Sequence, residues 1–268
     1  MAFVELTPWD LALAAVLLLI PAALSLGLKL GLENKLGIAA VRTVVQLTGI
    51  GLVLEWVFDL NRWYLVVGAL LIMLIAAARA AVARSDRRFP GAYLASFLTL
   101  TFASGITAFA VTEAVIGVDP WYAPRYVIPL IGMLLGNALT GISLSMDRFL
   151  SDVTKQRRSI EARLALGATT WEATLPWLRD ALRNGMIPII NSMMVVGLVS
   201  LPGMMTGQIL AGADPVDAVA YQILVMFMIA GCTALGTILL GTVAFRAISH
   251  PAHRIRWDRI IDTSDGSH

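Results

Sequence analysis

A succession of apolar runs constrains this chain more than any other feature. A transmembrane helix needs about 20 largely apolar residues to cross roughly 30 Å of hydrocarbon. The runs cover residues 9–28, 37–57, 63–82, 90–115, 126–149, 186–210 and 218–245. They predict an all-α, polytopic transmembrane helical bundle of about seven spans. Composition excludes a water-soluble fold, because only 14% of the residues are charged, against about 25% in a soluble domain.

Polar and special residues punctuate each run. Pro21 falls inside the first and predicts a kink, since a membrane helix can re-satisfy the freed carbonyl. Glu5 and Asp10, with no Lys or Arg before them, do not fit a cleavable leader, so this run reads as a retained span. Arg42 and Gln46 stand four apart on one face of the second run. Arg42 reads as snorkelling to headgroups and Gln46 as packed inside protein, with a substrate path as the alternative. The third run is the least polar and reads as lipid-facing scaffold. Ser96, Thr99, Thr101, Ser104, Gly105 and Thr107 give the fourth a surface for close packing and interhelical hydrogen bonds. Gly132, Gly136 and Gly141 suggest a similar contact surface in the fifth. In the sixth, residues 186–200 make a helix only about 22 Å long, and Leu201, Pro202 and Gly203 interrupt it. A broken or re-entrant crossing hinged at Pro202 and Gly203 is expected. A single transmembrane domain over residues 1–250 is followed by a polar tail at 251–268, fraying after Ile261.

Charge fixes the expected orientation. With the N-terminus outside, all of the 20 Lys and Arg residues except Arg62 and Arg125 fall on the cytoplasmic side. The positive-inside rule reads this as N-out and C-in.

The same pattern places residues 151–185, SDVTKQRRSIEARLALGATTWEATLPWLRDALRNG, in the cytoplasm as an arm between the fifth and sixth runs. Ser159 reads as the cap of a short helix, unless Arg157 and Arg158 extend the preceding one. Gly167 permits a reversal, and Thr169 or Thr170 caps a second helix from Trp171. Trp171, Leu175, Leu178 and Leu182 recur at helical spacing and predict an exposed apolar edge, while Pro176 limits its regularity. The arm is either a helix lying on the membrane surface or a docking element for a cytoplasmic motor.

Glu161, Ala162 and, five residues on, Gly167 are similar to the EAA loop of ATP-binding cassette importer permeases. The run from Ile160 to Ile229 more closely resembles the FetB-like family of metal-export permeases, through LGAT at 166–169, LPGMMTG at 201–207 and AGADPVDAVAYQ at 211–222. The plant aluminium-tolerance membrane subunits are similar to the same family. The resemblance implies a permease subunit that exports a metal cation, iron first among candidates, across a bacterial inner or plasma membrane. It also implies a permease homodimer with two copies of a cytoplasmic ABC ATPase. The ATPase-coupling residues it implies are Glu161, Ala162, Gly167, Ala168, Thr169, Trp171 and Glu172. The chain has neither a G-x-x-x-x-G-K-[ST] phosphate loop nor an H-E-x-x-H pair, so no catalytic residue is assigned. No cofactor is expected on this chain; ATP and Mg belong to the partner. Lipid is the other expected contact, and no nucleic acid is. Two alternatives stay open: an importer permease, for which Pro176 lies too early and Pro188 too late, and a non-transporting regulator that recruits an ATPase or receptor.

Candidates for a translocation path are Gln46, Asn137, Asn191, Met193, Met194, Met204, Met205, Gln208 and Asp214, with Ser192, Tyr221, Gln222, Met226 and Met228 beside them. Thioethers suit soft ions such as Cu(I), whereas Fe(II) and Al(III) favour oxygen and nitrogen donors. Core filling is the alternative for the methionines, helix packing for the amides, and a cap on the last helix for Asp214, followed by Pro215. No metal-ligand set follows from the sequence. Cys232 is the sole cysteine and reads as a small buried hydrophobe. His250, His253 and His268 fall in the tail.

Overall fold

Among the described residues, six helices are long and apolar enough to cross a membrane: Trp9–Gly27, Glu33–Leu60, Trp63–Ala83, Ala92–Val111, Pro124–Lys155 and Pro215–Ile248. The computed structural model describes residues 7–113, 117 and 119–262; Glu5, the end of the fourth run and His268 lie outside them. The all-α polytopic class is therefore as the sequence predicts, and the sixth run is the one that departs from a plain span. The chain divides into two compact units, one comprising the chain up to Arg62 with Leu210–Gly212, the other Trp63–Ile209 and the chain from Ala213 onward.

In the first unit the leading span is two helices, α1 (Pro8–Val16) and α2 (Leu19–Gly27). Pro21 has no N–H to offer the Leu17 carbonyl, and its ring crowds that oxygen. The helix closes at Leu17 and reopens at Leu19, where the Leu17 and Leu18 amides take tight bonds to Ala14 and Ala15. The expected kink is thus a break one turn before the proline. Ser25 joins α2 to α3 (Glu33–Leu60): its hydroxyl accepts from Leu32 N–H at 2.9 Å and donates to Glu33 at 2.8 Å. Arg42 and Gln46 are both exposed on α3.

The second unit is built around α6 (Pro124–Lys155), which packs against α4 (Trp63–Ala83), α5 (Ala92–Val111), α8 (Thr170–Val195) and α10 (Pro215–Ile248). Leu134, Ala138, Ile142, Ser145, Phe149 and Val153 recur every three or four residues along α6 and are all buried, as a helix enclosed by neighbours requires. In lipid such contacts are favoured by packing and not by removal from water. Gly141 and Gly185 make the tightest one. A Cβ on Gly185 would lie 2.6 Å from the Gly141 carbonyl oxygen, and one on Gly141 would lie 2.6 Å from a Thr233 methyl. Gly136, expected on the same surface, faces open space, and Gly132 approaches only Met73.

One further expectation is corrected. The third run is not simply lipid-facing, because Val66, Leu74, Ala77, Ala78 and Ala81 of α4 are buried. The hydroxyls of Thr101, Ser104 and Thr107 donate to carbonyls four residues back in α5, and Thr107 also has a side-chain hydrogen bond with Cys232 of α10. Such back-bonding satisfies the group locally in an apolar setting. The fraying expected after Ile261 falls on residues 263–268, outside the described residues, and the tail before them is folded. It forms a hairpin of β2 (Ser249–His250) and β3 (Arg254–Ile255), and its last described pair, β4 (Ile261–Asp262), runs antiparallel to β1 (Arg87–Arg88). Arg87 binds Asp262 at 3.1 Å across that ladder.

Candidate functional site

The arm between α6 and α8 is a helix, a reversal and a second helix. Gln156 breaks α6 from α7 (Arg157–Ala165), so Ser159 sits within α7 and does not cap it. Leu166 closes α7, and Gly167 at φ +94° takes the left-handed conformation that a side chain resists. The amides of Gly167 and Ala168 donate back to Leu164 and Arg163, the paired bonds of a Schellman motif. Thr169 then caps α8. Its hydroxyl accepts from Glu172 N–H at 3.2 Å, while the Glu172 carboxylate accepts from Thr169 N–H and hydroxyl, each at 2.8 Å. These bonds, the backbone one first, hold the Glu172 carboxyl below its ordinary value of 4.5, and the nearby His253 adds to the effect.

The reversal leaves Leu166 89% exposed at the tip, with Glu161, Ala162, Gly167 and Glu172 also exposed and Ala168 and Thr169 half-buried. The predicted apolar edge of the second helix is exposed only in part: Leu178 is buried, Leu175 and Leu182 are half-buried, and Trp171, 43% exposed, stacks edge-to-face on Phe245 of α10 at 5.0 Å. Arg157 lies over the Trp257 ring at 4.9 Å and binds Glu161 at 2.8 Å; Arg163 lies over Trp177 at 5.1 Å. The tail residue Trp257 thus touches the arm. Nothing in the sequence signals that contact, because it joins residues a hundred apart without a periodic pattern.

α8 is a single helix from the arm to Val195, with Pro176 and Pro188 inside it; the expected re-entry at Met186 is no boundary. The break in the sixth run begins at Val196, five residues ahead of Leu201. Gly197 at φ +84° turns the chain, its amide donates to Ser200, and the Ser200 amide returns to Val195. Pro202 closes this loop, and Gly203 opens α9 (Gly203–Leu210).

The loop and α9 separate two cavities. One, of about 570 Å³, is lined by Met193, Val196, Gly197, Leu201, Met205, Val219, Gln222, Ile223, Met226 and Phe227. The other, of about 290 Å³, is lined by Arg125, Tyr126, Pro129, Leu130, Met133, Met204, Gln208, Tyr221, Leu224 and Val225. Adjacent Met204 and Met205 therefore serve different cavities. Gln222 of the first lining and Gln208 of the second each bury an amide oxygen that has no hydrogen-bond partner. Of the other candidates, Met194 is 74% exposed and Asn191 is exposed; neither lines these cavities. Asn137 donates to the Met133 carbonyl at 3.0 Å. Asp214 accepts from Val216 N–H at 2.8 Å and caps α10, ahead of Pro215. Among the described residues, no group of three His, Cys, Asp or Glu is placed to hold a metal.

The model of the family described as Uncharacterised protein family (UPF0014) matches residues 8–248. The chain belongs to this family. UPF0014 relatives cover nearly all of it. A Synechocystis protein named UPF0014 membrane protein slr1647 is 41% identical over 81% of this chain and 84% of its own length. The Escherichia coli protein named "Probable iron export permease protein FetB" is 34% identical over 94% of this chain and 95% of its own. Arabidopsis thaliana ALUMINUM SENSITIVE 3 is 37% identical over 85% and 82%. No solved structure matches. This UPF0014 member is a membrane protein, and the resemblance carried by the LGAT, LPGMMTG and AGADPVDAVAYQ motifs is to its own family.

Proposed function

We propose that this chain is the membrane permease subunit of an ATP-binding cassette transporter that exports a metal cation. The observation that carries the reading is the arm: a capped helical reversal whose apolar stripe packs partly against α10, with Leu178 buried, yet which presents Leu166 to solvent. A lipid-surface helix would instead turn its Trp and Leu face outward. Glu161, Ala162, Gly167, Ala168, Thr169 and Glu172 surround that tip and form the ATPase contact; Trp171 holds the second helix to α10. Two permease chains and two ATPase chains make the transporter, in a bacterial inner membrane, with ATP and Mg on the ATPase. The E. coli relative's name supports export and a metal cargo.

Because α8 runs unbroken from Thr170 to Val195, closure of the ATPase pair displaces one rod of about 39 Å, whose far end borders the Val196–Pro202 loop. Pro202 and Gly203 are the hinge at the far side of that loop. Co-purification with the ATPase, and its loss on deleting residues 161–183, tests the arm's role. Coupled turnover that survives the deletion overturns it. Recruitment of the ATPase without cation flux would instead identify a regulator.

A further inference from the structure

The broken crossing falls at the middle of the bilayer. α4 is about 31 Å long, which matches the hydrocarbon layer. It runs from the stacked Trp63 and Tyr64 at one border to Arg84 just past the other, the residue types that favour membrane interfaces. Arg84 donates to Thr140 of α6 at 3.2 Å, and the adjacent Gly141 meets Gly185 of α8 at backbone distance. Gly185 therefore marks the border on the arm's side. From there α8 rises about 15 Å to Val195, so the loop of residues 196–202 stands at half depth.

Irregular backbone at that depth is tolerated only inside protein or against a water-filled cavity. The described residues leave this loop uncovered, with Leu198 90% and Val199 83% exposed. Among the described residues, the carbonyls of Val196, Gly197, Leu198 and Val199 accept no hydrogen bond, and the Ser200 hydroxyl and Leu201 amide donate none. Hydrocarbon would leave all six groups unsatisfied. Water would satisfy them but would also wet Leu198 and Val199, the most exposed side chains of the loop. A protein surface that brings both apolar contacts and hydrogen bonds meets both needs. Spare acceptors and spare donors on one short loop are self-complementary, as an isologous contact between identical chains requires.

We infer that loop 196–202 packs against the same loop of a second copy of this chain, with Leu198 and Val199 at the centre of the contact. The inference rests on the reading of the transporter as holding two permease chains, and it assigns where they meet. The loop follows directly on α8, so a displacement of that helix by the arm reaches the contact between the copies.

The test is crosslinking of the full chain in proteoliposomes through one cysteine per chain. In a Cys232→Ala background, Leu198→Cys is treated with a short bifunctional thiol reagent. Ile72→Cys is the comparison, since Ile72 is 70% exposed near the middle of α4. A single cysteine joins only two copies, so a covalent dimer reports the contact directly. Dimer yield at Leu198→Cys is expected to exceed that at Ile72→Cys about 10-fold or more, because a contact holds the second thiol at millimolar effective concentration. Should Leu198→Cys fail to fold, Val199→Cys gives the same result. Equal yields at positions 198 and 72 overturn the contact. So does labelling of the 198 thiol by a membrane-impermeant maleimide, which places water against the loop, and so does protection from that reagent with no dimer formed, which places lipid or another part of the chain there. ATP-driven cation flux from a chain that forms no dimer at 198 leaves the transporter reading standing and removes this contact. A dimer at 198 without ATPase coupling does the reverse.

Discussion

α6, α8 and α10 meet on opposite terms at two levels. Near the arm they touch at backbone distance: Gly141, Gly185, Thr233 and Thr237 leave no room for one added carbon. About ten residues further along α8, or about 15 Å, the helix ends, the chain loops through Val196–Pro202, and cavities open on both sides of α9. The closely packed level makes arm and helices one body. The open level is where a displacement of that body can change shape without breaking a core. Proline content does not explain the difference. α6 carries Pro129 and α8 carries Pro176 and Pro188 without ending there, whereas the break falls where Gly197 takes a left-handed turn.

The contrast is tested most severely at Gly185. Gly185→Ala forces a methyl against the Gly141 carbonyl and is expected to cost about 3 kcal/mol, read as a lowered unfolding temperature in detergent. Gly136→Ala, on the same helix as Gly141 but facing open space, is expected to stay within about 0.5 kcal/mol of the parent. Equal effects at the two positions would erase the distinction between the levels.

The cap at the arm gives a smaller effect. Thr169→Ala removes the two hydroxyl bonds to Glu172 and leaves the one from the Thr169 backbone amide, and amide exchange in the first turn of α8 is expected to quicken about fivefold while residues 186–195 are unchanged. The same cap has a pH signature. Folding lowers the Glu172 pKa, so its contribution is complete above about 4.5 and is lost as pH falls through the folded value. Exchange in that turn is expected to quicken on acidification in the parent and to lose this dependence in Glu172→Gln.

Smallest is the tail's hold on the arm. Trp257→Ala removes the ring beneath Arg157, an exposed cation–π contact worth about 0.5 kcal/mol. It is expected to raise exchange in α7 and leave the Gly141–Gly185 level untouched.

Much of this architecture is legible in the chain. Apolar run length predicts the spans because a bilayer fixes the length of a helix that crosses it. Gly167, Thr169 and Glu172 announce the reversal because cap chemistry is local. The Pro21 break and the Val196 break are each misplaced by a few residues. A proline disrupts the carbonyl a turn before it, and a glycine's left-handed turn has no sequence mark when Pro202 stands nearby as the more visible breaker. The outward face expected for the Trp171 stripe holds only in part for another reason: helical spacing shows that a stripe exists, and only packing shows that Leu178 is buried and that Phe245 meets Trp171. That Met205, Met226 and Gln222 line one cavity is likewise tertiary, since they come from two helices, α9 and α10, with no periodic pattern in common.

The central claim is that the arm's exposed tip transmits the work of an ATPase to the membrane helices. Leu166→Asp changes only that tip, so fold and unfolding temperature should hold. In proteoliposomes containing this chain and the ATPase that co-purifies with it, ATP-dependent cation flux is predicted to be abolished by Leu166→Asp, with Fe(II) as the first cargo tried in a panel of metal cations. Flux at the parent rate, from a variant that folds normally, would contradict the account.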